Sequence, residues 1–240
     1  MSGFDDGYRR SRASSRHAAL LGTGLPPDVE PFSFVPLDGM ESVAELLALA
    51  PGQRLVDLGC GRGGPGLWLA ARTGATLTGV DSSAVAITDC CQRASMFAGA
   101  TAEFRVADAT ATGLPTARAD AVVCIDVLQL VPDPAALVRE AARLLRPGGR
   151  LVLTTWEGHA DAPDRFPRTA TGLLEGAGLT VDHTSEHPDW LRRQLDIYRR
   201  AAESAARDPN DHAVRDLADE GHDWQHWHDR TSRVLVAAYR

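Results

Sequence analysis

Four aspartates fall where an apolar run ends: Asp57, Asp81, Asp108 and Asp126. Between the first two lies Gly59-Cys60-Gly61-Arg62-Gly63-Gly64, a bend that lets a ligand approach the backbone without Cβ atoms in the way. Carboxylates accept hydroxyl and amine hydrogens and attract cations. Backbone amides at such a bend favour electron-rich groups. The set therefore reads as a bed for a polar nucleoside-like ligand. Taken singly, each aspartate could equally cap the helix that follows it; four in order, beside a glycine bend, make coincidence a poor account. Gly59-x-Gly61-x-x-Gly64 also satisfies the dinucleotide fingerprint, and Asp81 stands twenty residues after Gly61, where a ribose-binding acid belongs. A nicotinamide enzyme thus competes. Asp57, two residues ahead of Gly59, weighs against it, because an anion beside a pyrophosphate is repelled and one beside a cationic amino acid group is attracted.

These residues need strands that end along one edge. Apolar or β-branched runs at 54–58, 76–80, 102–107, 121–125, 150–155 and 179–183 read as strands. Helices read at 40–50, 67–73, 82–97, 134–145 and 169–176. Pro134 suits a first helical turn and Gly74 and Gly99 suit helix ends. The alternation implies an α/β fold with a parallel sheet, helices on both faces, and strand carboxyl ends aligned at one edge. Residues 1–50 read as a helix, a bend and an extended clasp leading into the first core helix, together an N-terminal lid. Residues 51–187 form the core, 188–231 a helical cap rich in charge, His and Trp, and 232–240 a last strand.

The chain has 240 residues, 44% hydrophobic and 24% charged, which suits one domain with a real core. Its net charge of −7 argues against nucleic acid as a partner. Arg9, Arg10, Arg12 and Arg16 are the one dense basic group. Residues 1–30 hold no apolar stretch long enough for a signal peptide or a membrane span. Cys60, Cys90, Cys91 and Cys124 show no CxxC spacing, so reduced thiols, a cytoplasmic location and no membrane partner are expected. A homodimer is compatible with all of this.

Val56-Asp57-Leu58-Gly59-Cys60-Gly61-Arg62-Gly63 resembles the first motif of class I S-adenosylmethionine-dependent methyltransferases. Gly79-Val80-Asp81, Ala107-Asp108-Ala109 and Arg146-Pro147-Gly148-Gly149 resemble their later motifs in order and spacing, over residues 50–156. The pattern looks most like the branch acting on quinones and bacterial secondary metabolites. The resemblance implies a Rossmann-like doubly wound sheet, mostly parallel with an antiparallel final strand, and S-adenosylmethionine as cofactor. It also implies roles. The loop Gly59, Cys60, Gly61 and, beside it, Asp57 would meet the methionine part. Asp81 would take the ribose hydroxyls, with Ser82 beside adenine or ribose. Asp108 and the Ala109 amide would meet adenine, and Asp126 would lie near the methionine end.

Methyl transfer is an in-line displacement, so alignment and water exclusion do most of the work. A small-molecule acceptor is expected, with oxygen favoured over nitrogen or carbon. A hydroxyl acceptor gains from a base, and His159, just past the strand at 150–155, is the expected one; an exposed loop histidine is the plainer account. Trp156 either walls the acceptor pocket or simply packs. His222 and His226 are four apart and share a helix face with Asp223 nearby, but the zinc-protease signature is missing, so no metal is expected. Trp190, Leu191, Leu195 and Tyr198 suit one buried helix face, and Phe32 and Phe34 could pack or touch ligand. Two alternatives stay open: an NAD(P)-dependent oxidoreductase, and a scaffold or cyclase that retains the cofactor without transferring its methyl group.

Overall fold

Apolar runs with no polar face need cover on both sides, and the chain supplies it by alternating strands and helices. A computed structural model describes residues 4–26, 29–30, 33–164 and 166–240. In chain order its elements are α1 (Asp5–Ala13), α2 (Ser15–Leu21), α3 (Leu37–Leu47), β1 (Arg54–Leu58), α4 (Gly64–Thr73), β2 (Thr76–Asp81), α5 (Ala84–Arg93), β3 (Thr101–Val106) and β4 (Ala119–Ile125). Then follow α6 (Pro134–Leu144), β5 (Leu145–Gly158), α7 (Ala170–Gly176), β6 (Thr180–Glu186), α8 (Pro188–Arg207), α9 (His212–Trp224) and β7 (Thr231–Tyr239).

The strands make one seven-stranded sheet in the order β3-β2-β1-β4-β5-β7-β6. Strands β1 to β5 pair in parallel, while β7 runs antiparallel to both β5 and β6. The fold is the expected Rossmann-like, mostly parallel sheet with an antiparallel last strand. Consecutive residues go to opposite faces. Val122 and Leu151 belong to the cluster under α6 and α7, and Val123 and Val152 to the cluster under α3 and α4. Strand order reverses between β1 and β4, which opens a crevice at their carboxyl ends.

Several boundaries differ from expectation. Helix α3 starts at Leu37, directly after extended Pro36, and stops where Ala48 turns left-handed (φ 50°), three residues ahead of the expected frame. Helix α4 begins at Gly64, and α5 ends at Arg93 with a short 3-10 turn after it. Strand β6 runs on to Glu186; as an edge strand it alternates half-buried and exposed residues, so its polar second half carried little apolar signal.

The ends of the chain meet over the carboxyl edge of the sheet. Ser14 caps α2 through the His17 N–H and donates its hydroxyl to Asp211 (2.7 Å), which itself caps α9 at Val214. Arg10 of α1 donates to Asp216 of α9 (2.6 Å). Leu20, Leu21, Phe34, Ile197, Tyr198, Val214, Leu217 and Trp224 share a third apolar cluster there, separate from the two sheet faces. Among the described residues no helix is long and apolar enough to cross a membrane.

Candidate functional site

The bend after β1 is built around acids that line one cavity. Gly59 has φ +74°, and a Cβ there would run into the Val127 side chain. Gly61, also left-handed (φ +52°), donates its N–H to Asp81 Oδ2 (2.9 Å), while Asp81 Oδ1 accepts from the Ser83 N–H (2.8 Å). Both oxygens of Asp81 are thereby aimed, and each keeps capacity for a ligand hydroxyl. Ser83 donates its hydroxyl to Asp5 of α1 (2.6 Å), and the Tyr8 hydroxyl lies over Gly61. Helix α1 is thus pinned across the bend. Below it lies a cavity of about 230 Å³ lined by Asp57, Gly59, Cys60, Gly61, Asp81, Ser82, Asp108, Ala109 and Asp126. Every residue that the sequence assigns to a cofactor therefore meets at one cavity.

The acids differ in state. Asp57 is 3% exposed, and burial, with Asp81 adding repulsion, pushes its pKa up from 3.8 to about 7. No hydrogen bond reaches its carboxylate among the described residues. Burial also raises Asp81, against the Ser83 and Gly61 N–H groups that hold its charged form. Asp108 spends Oδ1 on the N–H and hydroxyl of Thr110 (2.8 and 2.7 Å), leaving its other oxygen for a ligand. A buried carboxylate with no hydrogen bond among the described residues, beside a second one, fits a cationic amino acid and a ribose diol; a pyrophosphate at the bend would face repulsion from Asp57. The residues present fit S-adenosylmethionine and disfavour a nicotinamide dinucleotide.

Asp126 plays a different part. Its backbone is left-handed (φ +58°), and its carboxylate accepts from Thr154 Oγ1 (2.8 Å), Ser33 Oγ (2.8 Å) and the Phe34 N–H (3.3 Å). Arg233 adds Nη2 at 2.7 and 3.0 Å. Arg233 has no exposed surface, and its guanidinium lies 3.8 Å over the Trp156 ring. The residue was missed in the sequence beyond its place in the last strand. The available signal was a lone arginine heading an otherwise apolar run; its register opposite Trp156 belongs to the pairing.

A second cavity, about 440 Å³, adjoins the first. Phe34, Trp156, Phe166 and Trp224 wall it, Gln129 and His17 line it, and Asp216, Glu220 and Asp223 of α9 stand around it. The two cavities have Phe4, Ser33, Asp126 and Leu130 in common. Trp156, at 3% exposure, thus both packs and walls a cavity. His17 is buried, which holds its pKa down to about 4 and keeps it neutral at pH 7.

His159 does not reach either cavity. Strand β5 runs to Gly158, farther than expected, and carries His159 past the edge; it is exposed, donates its N–H to the Arg230 carbonyl (2.8 Å), and its ring lies 3.2 Å from Ser232 Oγ. The geometry gives it no acceptor to serve as base. His222 and His226 are exposed with ring centroids 5.9 Å apart, and no group of three metal-ligating side chains occurs among the described residues. Trp190 and Tyr198 are core residues as expected, and Phe32 lies outside the described residues.

Residues 56–153 match the family model described as a methyltransferase domain. The chain is 35% identical over 175 residues to a ubiquinone biosynthesis O-methyltransferase of Alkalilimnicola ehrlichii, covering 70% of this chain and 67% of that one. It is 28% identical over 226 residues to phosphoethanolamine N-methyltransferase 1 of Arabidopsis thaliana, covering 85% of this chain but spanning only 44% of the plant protein's length. Among solved structures, Haemonchus contortus phosphoethanolamine N-methyltransferase 2, in complex with phosphomonomethylethanolamine and S-adenosylhomocysteine, superposes with a TM-score of 0.77 at 18% identity, over 100% of this chain and 60% of that chain.

Proposed function

The chain belongs to the class I S-adenosylmethionine-dependent methyltransferases of the small-molecule branch, and on that footing we propose that it methylates an acceptor seated in the aromatic cavity. S-adenosylmethionine supplies an electrophilic methyl group on a sulfonium. Asp81, aimed by two N–H groups, takes the ribose hydroxyls, and Asp57 takes the cationic amino acid end. The Gly59–Cys60–Gly61 backbone meets the methionine part, Asp108 and Ala109 meet adenine, and Ser82 lies beside the ribose. Asp126 holds the partition between cavities through Ser33 and Arg233 rather than offering a free carboxylate.

The observation that carries this reading is the common wall. A cavity with a cofactor-sized set of acids opens beside a larger aromatic one, with Ser33 and Asp126 bordering both. Reacting atoms from the two sides would meet there, and helix α1, pinned by Asp5 and Tyr8, keeps water out. The same proposal puts the reaction in the cytoplasm and on a secondary metabolite, whose ring body the four aromatic side chains suit.

Calorimetry with S-adenosylhomocysteine tests the cofactor half. Binding by the wild-type protein, with affinity lowered about ten- to a hundredfold in Asp81→Ala, is expected, because the ribose hydroxyls lose a buried acceptor. Equal affinity in the variant would remove Asp81 from the role, and no binding at all would remove the whole reading.

A further inference from the structure

Resting on that reading, we infer that the acceptor is an amine borne on an apolar ring body, its nitrogen drawn to the carboxylate side of the aromatic cavity.

Helix α9 sets the cavity's character. Ala213, Leu217 and Trp224 face it at helical spacing, and Asp216, Glu220 and Asp223 lie along the same stretch. Charged and titratable groups from every other bordering element are few. Helix α1 brings Arg10, which already holds Asp216 at 2.6 Å. Helix α2 brings His17, which is neutral. The end of β4 brings Asp126, matched by buried Arg233. Glu220 is already held, the Tyr198 hydroxyl (2.8 Å) among its partners, which leaves Asp223 as the lining carboxylate with no ion pair among the described residues. The described lining therefore offers no uncommitted cation for a phosphate or carboxylate, although phosphomonomethylethanolamine is what occupies the nematode enzyme.

The aromatic wall points the same way. Trp224 stands 5.3 Å from Trp156 and 5.4 Å from Phe166, centroid to centroid, an arrangement whose ring faces attract cations. Trp156 already carries the Arg233 guanidinium on one face. Aromatic faces combined with nearby carboxylates favour an ammonium over a neutral or anionic head.

The choice of atom follows from where charge travels. An ammonium entering the cavity loses one proton to water at the carboxylate mouth, where Asp216 is half exposed. The nitrogen lone pair then forms the N–CH₃ bond as the S–CH₃ bond breaks, with its electron pair left on sulfur. A sulfonium and an amine become a thioether and an N-methylammonium. Positive charge thus arrives at nitrogen in the transition state, where carboxylates stabilise it. The same carboxylates raise the pKa of an ammonium and of a phenol alike, so proton loss costs both; beyond that step a phenolate brings negative charge against the carboxylates, whereas a neutral amine brings none. This departs from the oxygen acceptor that the sequence favoured, and the reason is the set of acids on α9.

Three probes with one ring system separate the cases: 2-naphthylmethylamine, 2-naphthalenemethanol and 2-naphthoate, each titrated calorimetrically into the full chain holding S-adenosylhomocysteine. The amine should bind about tenfold tighter than the alcohol, and the carboxylate more weakly than either. Asp223→Asn should cut amine affinity severalfold and leave the alcohol unchanged. With S-adenosylmethionine carrying a labelled methyl group, mass spectrometry should find N-methylated amine and no methyl ether. Equal binding of amine and alcohol, preferred binding of the carboxylate, no binding of any probe, or an amine preference unmoved by Asp223→Asn overturns the inference. In each of those cases S-adenosylhomocysteine still binds, which separates this failure from failure of the methyltransferase reading.

Discussion

On the proposed reading, Asp57 couples cofactor binding to protons. Its pKa in the folded protein is about 7, against 3.8 for an ordinary aspartate, so between those pH values the folded chain holds a proton that the unfolded chain has released. The stability that this proton represents is present below about pH 4 and is lost as pH rises through 7. A cation beside Asp57 reverses the shift and expels the proton. Titrating S-adenosylhomocysteine at about pH 6.5 in buffers of different ionisation enthalpy should therefore show net proton release, and Asp57→Asn should remove most of it. An unchanged proton count in the variant would contradict the cation role. His159→Ala should leave turnover within about twofold of wild type, since an acting base would cost about 10²- to 10⁴-fold; a rate loss of that size would return His159 to the mechanism. At this scale the sequence was legible where a side chain's place follows from a strand end: Asp57, Asp81, Asp108 and Asp126 all border one cavity. It was illegible where placement depends on how far a strand continues or on contacts across the molecule. His159 was lost to the length of β5, and His17 reaches the second cavity through α2 packing that no local spacing encodes.

Helix α4 illustrates what an element requires of single positions. A Cβ on Gly64, its first residue, would overlap the Val29 carbonyl, and backbone cannot rotate away as a side chain can. Gly64→Ala should displace residues 29–30, cost about 1–3 kcal/mol in urea unfolding, and weaken S-adenosylhomocysteine binding, because Glu30 borders the cofactor cavity. A variant as stable as wild type would mean that this segment yields freely. Interior strands were the most legible elements: β4 and the middle of β5 are apolar on both faces and have one reading. Edge strand β6 and the start of α3 were the least, since one is half solvated and the other is set by Pro36 rather than by periodicity. The helical stretch at 188–231 was recognised as a whole. Its division into α8 and α9, paired against α1 and α2, depends on polar ties such as Ser14 to Asp211 between residues 197 positions apart.

At the scale of the whole molecule, the buried pair of Arg233 and Asp126 joins parts far apart in sequence: the last strand, the end of β4, Thr154 of β5 and Ser33 near the beginning of the chain. Arg233→Met should destabilise by about 3–5 kcal/mol in urea unfolding, because it strands the Asp126 charge, and adding Asp126→Asn should recover part of the loss. A loss that the second substitution deepens would assign the cost to packing against Trp156 instead. The aromatic cavity has one further consequence. Much of its lining comes from α1, α2 and α9, while Asp126, Gln129, Trp156 and Phe166 come from the middle of the chain, and Arg10 to Asp216 and Ser14 to Asp211 stitch the helical flanks to each other. Retargeting such an enzyme by grafting thus calls for transplanting both flanks as a matched set, with Trp156 and Phe166 of the middle refitted to them: a donor's front helices set against a foreign rear helix would meet mismatched stitches.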